Sequence, residues 1–202
     1  MQDINEKTDE ELVALTLKNQ DYFLYLVRRY ERKLFRYISR ISNLNQDDVE
    51  DVLQDIFVKI YKNLNGFDTD LKFSSWAYRI THNEVISNYR KYKNKIDVIS
   101  FDTDGNFIKN ISDELDIEKA FKLVELKKEV DQVLDKIDIK YKEVLILRFL
   151  EEKSYREISD ILRKPEGTIA TLINRAKKEF LKILEREQNY MKRAYNSIVR
   201  VI

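Results

Sequence analysis

The stretch EKSYREISDILRKPEGTIATLINRAKK, residues 152–178, reads as two short helices joined by a sharp turn, the second ending basic. In the first, Tyr155, Ile158 and the pair Ile161 and Leu162 recur at three- and four-residue spacing and form one apolar face. Ser154 is a good N-cap, and Glu157 three residues on completes a capping box. Pro165 ends the first helix and suits the opening turn of the second, where its missing N–H would be unpaired anyway. Gly167 is expected to remove a side chain where the two helices approach closely. Ile169, Leu172, Ile173 and Ala176 supply a second apolar stripe, which leaves Thr168, Ala170, Thr171, Asn174, Arg175 and Lys178 outward. This is the layout of a helix-turn-helix, whose second helix enters the DNA major groove. A plain helical hairpin with a solvated face has the same pattern, so the rest of the chain must decide.

Composition points to an all-α protein. Three Gly and one Pro in 202 residues provide little turn material for sheets, while apolar residues recur at helical spacing almost throughout. Absence of cysteine excludes disulfides and thiolate metal sites and fits a reducing cytoplasm. His82 is the sole histidine, which leaves little room for His-based metal or triad chemistry. No apolar run approaches the roughly 20 residues that span a membrane, and the acidic opening MQDINEKTDEEL is unlike a signal peptide. No metal, cofactor or small-molecule substrate is expected.

The net charge of +1 hides an uneven distribution. Residues 1–95 carry +1, residues 96–120 carry −5 and residues 121–202 carry +5. An acidic connector therefore separates a neutral lobe from a basic one.

The first lobe reads as four helices. The first runs from Asp9 to Leu17, capped by Thr8. The second runs from about Asp21 to Ile41, with Arg28, Arg32, Arg36 and Arg40 as a basic ridge opposite its apolar face. The third runs from about Asp47 to Leu64, and its opening turns hold Asp47, Asp48, Glu50, Asp51 and Asp55. One or two acids suit a helix N-terminus through the macrodipole; five invite a basic partner or, less simply, a divalent metal. After the loop Asn65 to Phe73, Ser74 or Ser75 is expected to cap a helix to about Lys93. Trp76, Ile80, Val85, Ile86 and Tyr89 would be buried there, with Tyr78, Arg79, His82, Asn83, Arg90 and Lys91 largely exposed. Cations, aromatics and amides interleaved on one face suit single-stranded nucleic acid, although Trp76 equally suits a core. Residues 94–120 lose helical periodicity and read as a linker. The second lobe opens near Ala120 with helices to about Ile137 and from Lys140 to Leu150, ahead of the helix-turn-helix.

Taken in order, DDVEDVLQDIFVKIYKNLNGFD, KFSSWAYRITHNEVISNYRK and the run from VLDKIDIKYKEVLILRFL to KKEFLKIL resemble the extracytoplasmic-function (ECF) RNA polymerase sigma factors of the sigma-70 superfamily. The resemblance spans about residues 20–95 and 125–185. It implies two helical domains joined by a flexible acidic linker. Residues 1–95 would be region 2, which binds core polymerase and melts the −10 element, and residues 121–187 region 4, which reads the −35 element. Residues 96–120 would be the linker, threading the polymerase cleft, and residues 188–202 a C-terminal tail beyond the usual end. Its partners would be core RNA polymerase, through the β′ clamp helices and β flap, promoter DNA and an anti-sigma factor.

Carried over by position, Asp48, Asp51, Leu53, Gln54 and Asp55 would dock on the clamp helices. The loop Asp68, Thr69, Asp70, Leu71, Lys72 and Phe73 would receive a flipped base, with Trp76, Arg79 and Asn83 facing the melting strand. Thr168, Ala170, Thr171, Asn174 and Arg175 would lie along the −35 groove, with Arg148 and Lys178 nearer phosphates. The chain departs from the family at Ala170 and Leu172, positions that are commonly basic.

Two other classes remain. A helix-turn-helix regulator that acts without polymerase would leave the acidic helix unexplained. A DNA-processing enzyme would need a metal or nucleophile constellation. In the tail, Met191, Tyr195, Ile198 and Ile202 align on one face if helical, for packing or for docking a regulator.

Overall fold

The computed structural model describes residues 4–42, 44–68, 71–92 and 128–199. Thr69, Asp70, the acidic linker, the expected opening of the second lobe near Ala120 and Ile202 lie outside them, as do the side chains of Tyr89, Arg90, Lys91, Met191, Tyr195 and Ile198. Every regular element described is helical. The helices are α1 (Asp9–Thr16), α2 (Phe23–Ser42), α3 (Gln46–Asn63), α4 (Phe73–Tyr92), α5 (128–136), α6 (Ile139–Leu145), α7 (Tyr155–Leu162) and α8 (Glu166–Val199). A π-helical turn, Ile146–Leu150, continues α6.

The chain divides into two compact units. Among the described residues, the first joins the segment up to residue 92 to residues 146–169, and the second joins residues 128–145 to residues 170–199.

In the first unit, α2, α3 and α4 pack on one another and α1 packs on α2 and α4. Local chemistry sets where each begins. The Thr8 hydroxyl accepts from the Glu11 N–H and the Glu11 carboxylate accepts from the Thr8 N–H, a complete capping box. The Asn45 side chain caps α3 by accepting from the Asp48 N–H. The interior is Leu26, Leu34, Ile38 and Ile41 of α2 against Val49, Ile56 and Ile60 of α3, all at most 2% exposed. Removing such surface from water stabilises by roughly 1.5–3 kcal/mol per large side chain.

The start of α4 differs from expectation. Neither Ser74 nor Ser75 caps it; the helix opens at Phe73, whose N–H donates to Glu10 Oε1 of α1 at 3.0 Å. Ser75 is instead buried, with its hydroxyl making no hydrogen bond among the described residues. Tyr78 also departs from its expected exposure. It is 1% exposed, because Tyr37 of α2 packs on its ring and Glu151 and Lys153, just before α7, close over it from the other side.

In the second unit, Val133, Leu134, Ile137, Val144, Leu145, Ile173 and Ala176 are buried. Lys136 pairs with Glu187 at 2.6 Å, and the nearly buried Lys142 ammonium reaches Asp135 at 2.9 Å.

Candidate polymerase and nucleic-acid interfaces

Helix α3 turns Val49, Leu53, Ile56 and Ile60 inward, and the same periodicity puts its acids outward. Asp48 accepts from the Asn45 side chain at 2.8 Å and Glu50 from Gln46 at 3.0 Å, so both serve the helix start. Asp51, Gln54 and Asp55 are exposed and form no hydrogen bond or ion pair within the described residues. Leu53 is 6% exposed and belongs to the core. On the same helix Val58 and Tyr61 expose apolar surface.

An aromatic cluster sits at the start of α4. Phe67, Phe73 and Trp76 meet with centroids 5.2–5.7 Å apart, and Tyr30 packs edge-on to Phe73 at 5.3 Å. Phe73 is 1% exposed and Trp76 7%, so both belong to the core rather than facing outward. Asp68 and Lys72 are exposed and Leu71 is half-buried. Along α4, Arg79 is half-buried and Asn83 exposed.

The side of α4 that carries Tyr78 and His82 meets the connector before α7. The Glu151 side chain, 5% exposed, accepts from Tyr78 Oη at 2.6 Å and from Arg40 at 3.0 Å. Burial, with Glu151 adjacent, pushes the Tyr78 phenol well above its ordinary range. The Lys153 ammonium sits 4.2 Å from the centroid of the Tyr78 ring and donates to Ser74 Oγ at 2.7 Å. Lys72 pairs with Glu157 at 3.1 Å. Burial alone would raise the Glu157 carboxyl, but bonds from the Ser154 hydroxyl and N–H and the Lys72 charge bring it down to about 2. His82 lies 3.1 Å from Tyr37 Oη, and burial with Lys164 nearby lowers it to about 4. Arg40 thus leaves the basic ridge for Glu151, while Arg28, Arg32 and Arg36 stay exposed.

The turn between α7 and α8 follows the sequence closely. Ser154 and Glu157 form the capping box, and Ile158, Ile161 and Leu162 are buried. Tyr155 is the exception on that face: it is 38% exposed, with the Arg148 guanidinium 5.4 Å from its ring centroid. Arg148 also donates to the Lys153 carbonyl at 2.9 Å, a structural engagement. Arg163 at φ 53° ends α7 in the left-handed region, and Pro165 two residues on forbids its continuation. Gly167 has nothing within 4 Å of where a Cβ would stand, so no close helix approach requires it. On α8, Ile169, Ile173 and Ala176 are fully buried, while Thr168, Thr171, Asn174, Arg175 and Lys178 are exposed. Ala170 and Leu172 lie half-buried at the margin.

A capped helix, a tight turn and a second helix with an outward polar and basic row have the layout of a helix-turn-helix. Known proteins agree with it. Sigma-70 region 2 matches residues 26–95 and sigma-70 region 4 matches residues 127–180. ECF RNA polymerase sigma factor SigW of Bacillus subtilis is 33% identical over 170 residues, 82% of this chain and 90% of that protein. The chain belongs to the ECF RNA polymerase sigma factors. The ECF sigma-E factor of Escherichia coli is 32% identical over 178 residues, covering 84% and 91% of the two chains. Among solved structures, CnrH in complex with the cytosolic domain of CnrY aligns with a TM-score of 0.66 at 25% identity, over 89% of this chain and 99% of that one. RpoE from Bartonella quintana in complex with the anti-sigma factor NepR aligns at 0.63 and 19% identity, which speaks to the fold.

As an ECF sigma factor the chain is a promoter-recognising transcription initiation factor. Two residues that hold α4 in place were missed in the sequence, Glu151 and Glu10. Each acts across more than 60 residues of chain, and no local pattern marks either.

Proposed function

We propose that this sigma factor joins core RNA polymerase through Asp51, Gln54 and Asp55 on α3, with Asp48 and Leu53 shaping that surface, against the β′ clamp helices, and that the factor also meets the β flap. The loop Asp68–Phe73 then takes a flipped base of the −10 element, Arg79 and Asn83 hold the displaced strand, and Trp76 supports the loop from below. Thr168, Ala170, Thr171, Asn174 and Arg175 read the −35 major groove, with Lys178 and Arg148 toward phosphates. Residues 1–95 and 121–187 act as region 2 and region 4. The linker between them, its negative charge repelled by DNA, passes through the polymerase cleft.

The observation that carries this reading is the exposed row on α8 opposite three fully buried residues, Ile169, Ile173 and Ala176. The factor performs no catalysis itself and works in the cytoplasm, beside polymerase and DNA. An anti-sigma factor holds it inactive, a reading supported by relatives solved with CnrY and NepR. Pull-down with purified core polymerase tests the first step: stoichiometric capture is expected, and a chain that binds promoter DNA but not core would contradict it.

A further inference from the structure

The turn after α7 brings two cations to face a third on α4. Arg79 of α4, with Ser159, Asp160, Arg163, Lys164 and Pro165, lines an open cavity of about 290 Å³. Three side chains there are basic and one is acidic. None of the Arg79, Arg163 and Lys164 side chains makes a hydrogen bond or an ion pair within 4 Å among the described residues. The charges are close enough to act on one another. Burial and then Arg163 lower the Arg79 guanidinium, with Asp160 opposing, and burial and then Lys164 lower His82.

The backbone holds this arrangement in place. Arg163 is fixed at φ 53° as the helix cap, and the Lys164 N–H and carbonyl both bond to Ser159. Like charges converging on an open cavity without enough counter-charge form a receptor for an anion with several oxygens. A phosphoryl group suits it better than a carboxylate, since it offers three acceptor oxygens to cations arriving from separate elements.

We propose that this cavity binds a phosphate-bearing anion whose oxygens bridge Arg79 of α4 to Arg163 and Lys164 of the turn. Its cations come from both α4 and the α7 turn, so the complete site exists only while α7 packs on α4. A ligand there stabilises the packed arrangement by mass action. Where α4 and α8 read separate promoter elements, such a ligand opposes promoter engagement; that consequence alone rests on the proposed function. A nucleotide-like free phosphate and a nucleic-acid backbone share the chemistry, and the test separates them.

The full chain is titrated calorimetrically with inorganic pyrophosphate and, separately, with a short single-stranded oligonucleotide, both at constant ionic strength. Saturable binding is expected, weakened at least about tenfold in Arg163→Asn/Lys164→Gln and strengthened in Asp160→Asn. Asn tolerates the left-handed backbone, so the double variant should fold, and relief of repulsion should leave its Tm equal or higher. Pyrophosphate binding lost in the double variant assigns the site to free phosphate compounds. Oligonucleotide binding alone, lost in the same variant, assigns it to a nucleic-acid backbone. Equal affinity in wild type and double variant for both probes, or no saturation by either, overturns the site. That outcome would leave the polymerase assignment standing, and failed transcription would leave a positive titration standing.

Discussion

Tyr78 and Glu151, 73 residues apart in the chain, are joined by a 2.6 Å hydrogen bond that also recruits Arg40. The bond ties the helix proposed to hold the −10 strand to the connector leading into the helix-turn-helix. Elements centred near −10 and −35 lie about 25 base pairs apart, roughly 85 Å of duplex. The α4–α7 packing must therefore separate when both are engaged.

Loss of Glu151 should loosen that packing first. Glu151→Ala leaves the buried Tyr78 hydroxyl and the half-buried Arg40 without their acceptor, at about 1–3 kcal/mol for an orphaned buried group. Urea denaturation should show a lower midpoint with little change in helical circular dichroism at rest. An unaltered midpoint would mean that the carboxylate contributes nothing net.

His82 should make stability depend on pH. Its folded value of about 4 lies below the ordinary 6.5, so the unfolded chain binds more protons between them. Its contribution, at most about 3 kcal/mol, is present above pH 6.5 and lost as pH falls toward 4. Glu157 acts lower: its depressed pKa gives stability that disappears between about pH 4.5 and 2. Thermal denaturation from pH 7 to 4.5 should show a falling Tm in wild type and a flatter profile in His82→Gln. Parallel profiles would rule out this histidine as the source.

Helix boundaries were legible where side chains supply the missing backbone partners: Thr8 with Glu11, and Ser154 with Glu157. The outward row of α8 was legible too, because Ile169, Ile173 and Ala176 follow helical spacing onto one buried face. The far side of α4 was not. Tyr78 is polar and falls on the helix's expected solvent face, and residues distant in the chain, Tyr37, Glu151 and Lys153, bury it. The turn residues misled for a related reason. Gly167 looked like a packing device but faces open space, whereas Arg163, which has no glycine-like signature, takes the left-handed cap.

Core binding should depend on the unpaired acids of α3. Charge-assisted contacts at such a surface contribute roughly 1.5–3 kcal/mol each. Asp51→Arg with Asp55→Arg should abolish capture by core polymerase and leave helical content intact, since both side chains are exposed and make no hydrogen bond or ion pair among the described residues. Undiminished affinity in that variant would remove α3 from the interface.

Arg175 and Lys178 should separate base reading from phosphate contact. A bidentate arginine–guanine pair discriminates by about 1–3 kcal/mol. Arg175→Ala should relax preference at one −35 position, while Lys178→Ala should weaken binding evenly and flatten its salt dependence. Competition binding across single-base −35 variants measures both, and intact base preference in Arg175→Ala would make it a phosphate contact.

The most direct test is run-off transcription by core polymerase with the purified chain on a library of randomised promoters. Transcripts should come from templates that share two short elements at fixed spacing, and should fall to the level of core alone without the chain. Transcripts no more numerous or selective than those of core alone would contradict the account.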